Sequence, residues 1–362
     1  MMYDCIIIGG GIAGLQASIQ LGRYRHKVLV VDKGRGRSTL CQGYRNMLGW
    51  PDGVSGPELR RLGRLHAERL GIEFREAEAT AVARIADGHF QVMLDAGQGA
   101  VSGATLLIAT GVSDRYPDLP GLEGCLGRTI FVCSDCDGYE SAGRRTVVLG
   151  SGVAGYGMAT ALTYWCDRIV YVNHERQALG SERLSRLKEL GIEYIEEEIA
   201  EVLTGPEEAE RIGPAAAASP FAGQASAGAV ASAAASPSAW QAPAGAAASA
   251  AAVGGRLSGV RLTSGRVIPA DIGFIAFGGN AVHSGLLAHL GVERMENGHI
   301  VVDPRSKMTS VRGIWAAGDI AVHSQQATIA MGEGAQAAIW IHKELLKLRP
   351  GRSAASGEAL LR

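Results

Sequence analysis

The chain has 362 residues, more than one typical domain needs, with 35 basic and 36 acidic residues for a net charge of −1. That balance excludes a general binder of nucleic acid or acidic surfaces, which needs a basic excess, and 47% hydrophobic residues supply a real core. Six cysteines in so long a chain are no disulfide framework, no apolar run reaches membrane-span length, and the N-terminus lacks the regions of a secretory signal, so a cytoplasmic enzyme that binds neither membrane nor nucleic acid is expected.

Tyr3–Ile8 is a short, β-branched apolar run bounded by glycine, which suits a strand buried on both faces of a parallel sheet. Gly9, Gly11 and Gly14 follow as G-x-G-x-x-G, then "LQASIQLGRYRH" with helical spacing, then the strand "KVLVVDK". This is a dinucleotide-type βαβ unit. Gly9 permits the tight turn, Gly11 lets backbone approach a pyrophosphate, Gly14 lets helix and strand pack closely, and the helix N-terminus faces the anion. Asp32 stands near the spacing at which an acid binds a ribose hydroxyl. "LLIATG", Leu106–Gly111, reads as a strand running into a turn.

Further on, "CSDCDGYE" carries Cys133 and Cys136 just ahead of a second βαβ unit. That unit comprises the strand "RRTVVLG", the turn Gly150, Gly152, Gly155 with its helix, and the strand "DRIVYVN". From about 205 to 255 the chain is mostly Ala, Ser, Gly and Pro and reads as a flexible insertion, an expanded hairpin loop. Strand-like alternation resumes at "RLSGVRLTSGRVIPADIGFIAFG". "GIWAAGD", Gly313–Asp319, and the helix "QQATIAMGEGAQAA" follow.

A C-x-x-C holds a metal, staples a fold or passes electrons. Zinc needs two further Cys or His ligands at finger-like spacing, and Cys125 and Cys166 lack it, so no metal is expected. A structural disulfide is disfavoured in the cytoplasm. Redox exchange is left, and a place directly before a dinucleotide turn supports it. Asp135, between the two cysteines, disfavours a thiolate. Cys5, in a buried strand, and Cys166, at a helix end, read as inert core.

With these pieces in this order, and with "YRNMLGWPDGVSGPEL" at 44–59, the chain resembles a low-molecular-weight thioredoxin reductase, a flavoprotein of the pyridine nucleotide-disulfide oxidoreductase superfamily. The resemblance covers nearly everything except the insertion. It implies an α/β protein of two Rossmann-like domains, the second inserted into the first. An FAD-binding domain is expected at 1–116 and 279–362, and an NAD(P)-type domain carrying the C-x-x-C at 117–278. It implies that Asn46, Thr110, Gly111, Gly318 and Asp319 lie in the flavin motifs, Asp319 on the ribityl chain, and that Gln326 and Ala327 start a helix aimed at the flavin ring. It implies too that Cys136 faces the flavin, Cys133 meets an outside disulfide, and Asp137 manages protons near the pair. The partners it implies are a thioredoxin-like protein or a small dithiol or disulfide, and a second copy in a homodimer.

The second nucleotide site departs from the family. NADPH-using members carry His-Arg-Arg at the strand end to hold the 2′-phosphate; a gap-free count puts Asn173, His174 and Glu175 there, with Arg176 one step on. The family's Gly-His after the last strand is Gly278-Gly279 here. The choice between NADPH and NADH is therefore open. "CDGYE", 136–140, looks more like a branch of dithiol oxidases. Two activities follow: a disulfide reductase fed by NAD(P)H or another donor, and an oxygen-dependent dithiol oxidase.

Overall fold

The computed structural model describes residues 2–85, 88–205, 255–322 and 324–348; nearly all of the expected insertion lies outside the described residues. In chain order the elements begin with β1 (Met2–Ile8), α1 (Ile12–Arg23), β2 (Val28–Asp32), α2 (Arg37–Leu40), α3 (Gly56–Arg69) and β3 (Glu73–Glu76). Next come β4 (Ala79–Arg84), β5 (Phe90–Leu94), β6 (Ala100–Ile108), β7 (Val112–Ser113), α4 (Leu122–Cys125), β8 (Ile130–Phe131) and α5 (Ser134–Asp137). The middle of the chain forms β9 (Thr146–Gly150), α6 (Gly152–Leu162), β10 (Ile169–Asn173), α7 (Ser181–Glu189), β11 (Glu193–Ile195) and β12 (Ile199–Gly205). It ends with β13 (Arg256–Leu262), β14 (Val267–Pro269), β15 (Ile272–Ala276), β16 (Ala281–Val282), β17 (Ile314–Ala316) and α8 (Ala327–Leu348). None of the described helices is long and apolar enough to cross a membrane.

The chain divides into two compact units. One comprises Met1–Pro117, Leu126–Val132 and Ile275–Arg362; the other comprises Asp118–Cys125 and Cys133–Phe274.

In the first unit a seven-stranded sheet runs β3-β2-β1-β6-β5-β4, with β17 also paired to β6. β1 is parallel to both β2 and β6. Its apolar residues divide by the two-residue period of a strand: Ile6 and Ile8 enter one core with Leu29, Val31, Leu106 and Ile108. Cys5 and Ile7 enter the core on the other face, with Val28, Val30, Leu107 and Trp315. Burial pushes the Cys5 thiol up to about 12, so it stays protonated and inert.

The second unit carries the run β11-β10-β9-β15 of another sheet. β9, α6 and β10 form the βαβ unit, with Gly150 in register with Asn173. Cys166 lies four residues beyond the end of α6 rather than on it, buried with its thiol directed to the Arg144 carbonyl at 3.1 Å. β12 and β13 pair antiparallel up to Gly205↔Arg256, so the hairpin closes where the described chain stops and resumes. If, as its composition implies, the segment has little to pack, joining 205 to 256 through a turn of about four residues changes mainly loop-closure entropy, worth roughly 2 kcal/mol in favour of the short form. The shortened protein is expected to keep its bound flavin and an equal or higher thermal midpoint; a lower midpoint with flavin loss contradicts this.

Candidate active site: a cysteine pair and two glycine turns

The first glycine turn is built by exclusion. A Cβ on Gly9 (φ 110°) would lie 2.2 Å from the Ala109 carbonyl oxygen, and one on Gly14 would lie 1.9 Å from that of Gly9. Both positions therefore need glycine. Gly11 differs: nothing stands within 4 Å of its missing side chain. It is also the N-cap of α1, with no side chain capping the helix, so the first N–H groups of α1 open onto that space. Asp32 ends β2 against Gly10, and Arg60 of α3 donates to its carboxylate at 2.6 Å. An uncapped helix end beside an anchored acid suits a pyrophosphate with its ribose.

The rest of the expected flavin set surrounds α1 or lies on its own loops in this unit. Gly318 (φ 81°) packs on Ala13 of α1, and its N–H donates to Glu333 of α8 at 2.9 Å. Glu333 is buried and paired with Lys307 at 2.8 Å. The carboxylate of Asp319 accepts from Arg37 at 3.0 Å. Arg37 also grips Asp114 through two N–H groups and donates to Gln325 at 2.6 Å. Burial alone would lower the Arg37 pKa, but the bonds and charge of Asp114 and Asp319 win and raise it, so the cation is permanent. Thr110 donates to the His283 carbonyl at 2.8 Å, and Gly111 turns the chain at φ 65°. Gln326 is half-buried just before Ala327, the first residue of α8, while Asn46 is exposed. Arg37 is a centre of this network that sequence reasoning passed over, because "GRGR" reads as a solvated loop and its partners lie 77 and 282 residues away.

In the second unit Cys133 and Cys136 are joined as a disulfide, with Cα atoms 5.4 Å apart. Cys133 is the N-cap of α5, and the Cys136 N–H donates to its sulfur at 3.2 Å. Asp135, between the two cysteines, is exposed. Both cysteines and Asp137 are half-buried, and the Asp137 N–H donates to the Cys133 carbonyl at 3.1 Å. Gly138 is required because Trp165 packs on it: a Cβ there would lie 2.6 Å from the indole ring. The turn Gly150–Gly155 stands between β9 and α6, and its surroundings are unlike those of the first turn. Gly152 is covered by the Gln177 side chain, and Gly155 rests on the ring of Tyr171. Among the described residues no group of His, Cys, Asp and Glu is arranged to hold a metal ion.

A family model for pyridine nucleotide-disulphide oxidoreductases matches residues 3–212 and 244–334. The chain belongs to that family. Thioredoxin reductase of Treponema pallidum (strain Nichols) is 27% identical over 339 residues, which cover 93% of this chain and 95% of that protein. The crystal structure of HlmI superposes with a TM-score of 0.75 at 26% identity, covering 95% of this chain and 93% of that one. Thioredoxin reductase from Streptococcus pyogenes MGAS5005 reaches a TM-score of 0.74 at 22% identity, with 96% and 99% covered, a likeness of fold alone. This member of the pyridine nucleotide-disulphide oxidoreductases is of thioredoxin reductase type, an FAD-dependent oxidoreductase acting on a disulfide. The first turn fits that cofactor: an open glycine, an uncapped helix and an acid at the strand end.

Two outcomes are expected. Heat-released cofactor is FAD by mass spectrometry, and FMN contradicts the reading of the first turn. Arg37→Leu leaves Asp114 and Asp319 without their cation; since the cluster is partly exposed, the expected loss is roughly 2–3 kcal/mol by chemical denaturation. A change below about 0.5 kcal/mol would show that the network does not hold this unit together.

Proposed function

We propose that the protein is a thiol–disulfide oxidoreductase in which Cys133 exchanges with an external partner and Cys136 resolves the exchange. The observation that carries the reading is the half-buried Cys133–Cys136 disulfide at the start of a short helical turn, with a backbone N–H on the Cys133 sulfur. In the reducing direction the Cys133 thiolate attacks a substrate disulfide, forms a mixed disulfide and expels one substrate thiolate. Cys136 then attacks the Cys133 sulfur, closes the internal disulfide and releases the second thiolate. Run backwards, the same steps oxidise a dithiol. Asp137 sits beside the pair in chain order and is assigned the proton exchanged with the thiols.

The residues that would hold FAD are Gly9, Gly11 and Gly14 at the pyrophosphate and Asp32 at the ribose. Thr110, Gly111, Gly318, Asp319, Gln326 and Ala327, with Asn46, complete the set. When bound, FAD supplies the two-electron redox chemistry that the cysteine pair shares. Arg37 holds Asp319 in place, and Arg60 holds Asp32. The proposed partner is a thioredoxin-like protein or a small dithiol or disulfide, the proposed setting is the cytoplasm, and the proposed assembly is a homodimer of chains with an FAD domain and an NAD(P)-type domain.

The roles of the two cysteines separate on trapping. Incubated with an aromatic disulfide that releases a coloured thiolate, the reduced Cys136→Ser variant is expected to release one equivalent and keep the other half bound at Cys133. Cys133→Ser is expected to react slowly. The opposite pattern reverses the assignment; no adduct in either variant removes the exchange reading.

A further inference from the structure

The two βαβ units present equivalent turns whose local chemistry is opposite. In the first, Gly11 has open space above it; in the second, the space above Gly152 is filled by Gln177, with Oε1 2.7 Å and Cβ 3.0 Å from where a Cβ would stand. The Gly152 N–H, at the start of α6 where an anion would be received, already donates to Asn173 Oδ1 at 3.0 Å. Asn173 is fully buried and its own N–H groups are spent on the Gln177 carbonyl and the Tyr194 hydroxyl, both at 2.8 Å. Tyr171 closes the turn from beneath, donating to the Gly152 carbonyl at 2.8 Å while its ring supports Gly155. The Gln177 side chain is in turn tied to the Glu175 carboxylate at 3.1 Å.

A dinucleotide entering here has to displace Gln177, break the bond between Asn173 and Gly152, and bring a pyrophosphate up to a carboxylate. Breaking that bond strands a buried amide oxygen, which is costly. His174 adds no cation: its Nδ1 accepts from the Ile199 N–H at 2.9 Å, and burial lowers its pKa, opposed by Glu198 and Glu175.

We propose that the Gly150–Gly155 turn is closed from within by Asn173 and Gln177 and takes no nicotinamide dinucleotide, and that the electrons enter instead at the Cys133–Cys136 disulfide from a dithiol. The second half rests on the exchange reading above. In that step the two S–H bonds of the dithiol break and its disulfide forms; the Cys133–Cys136 bond opens and takes up the two electrons and two protons.

The test uses the oxidised holoprotein. Calorimetric titration with NADPH and NADH is expected to give no saturable heat up to about 1 mM in the wild type. Gln177→Ala, which empties the space over Gly152, is expected to bind at least one of them at least tenfold more tightly than the wild type. Micromolar binding by the wild type overturns the proposal, and so does a Gln177→Ala variant as inert as the wild type, since closure is then not the cause. In parallel, anaerobic dithiothreitol is expected to expose two alkylatable thiols at Cys133 and Cys136, read by peptide mass spectrometry, while NADPH exposes none. Failure of dithiothreitol alone defeats the exchange reading and the dithiol as donor, and leaves the closed turn standing; opening by NADPH defeats the closed turn.

Discussion

The N-terminal end of α1 reaches its place only because glycines leave room where its neighbours meet it. Gly14 lies on the Gly9 carbonyl, Gly318 on Ala13, and Gly334 of α8 on the carbonyl of Ala13. At such distances even a methyl group forces strands and helices apart, and close-packed interiors do not absorb the shift. The uncapped N–H groups, the Asp319 loop and the start of α8 are brought together by that contact. The site proposed for the flavin is therefore a consequence of packing before it is a set of ligands.

Charge then locks what packing brings near. Lys307 and Glu333 form a buried pair, and the second oxygen of Glu333 takes the Gly318 N–H, so α8 is tied to the loop that ends in Asp319. Arg37 joins that loop to Asp114, and Arg60 does the same for Asp32. Such ion pairs add little where water surrounds them, but these carboxylates are largely enclosed, and each would be left stranded without its cation. The carboxylates proposed for the cofactor site are thus held by cations of the chain itself.

One backbone motif acquires different surroundings in the two turns. Both have glycine where helix meets strand, and both follow a parallel strand. In one the glycine at the helix start is open; in the other Asn173 accepts from its N–H and Gln177 covers it. A helix N-terminus attracts whichever acceptor is nearest, and in the second unit the nearest acceptor is the protein's own amide.

From sequence alone, the period-two runs and the glycine spacing determined both βαβ units, since these depend on neighbours a few residues apart. The paired cysteines, close in sequence and directly ahead of the second unit, were equally legible, as was the family. What the tertiary structure decided is what fills each site. Gly138 reads as part of a redox motif until Trp165 is seen on its face, and Asn173 reads as a lost phosphate ligand until its amide is found bonded to Gly152. The Arg37 cluster joins residues 77 and 282 positions apart, so no local period marks it. Backbone conformation is encoded locally because sterics act over a few bonds. The partners of a buried polar group are chosen by the whole fold, because each must find its hydrogen bond wherever the packed chain supplies one.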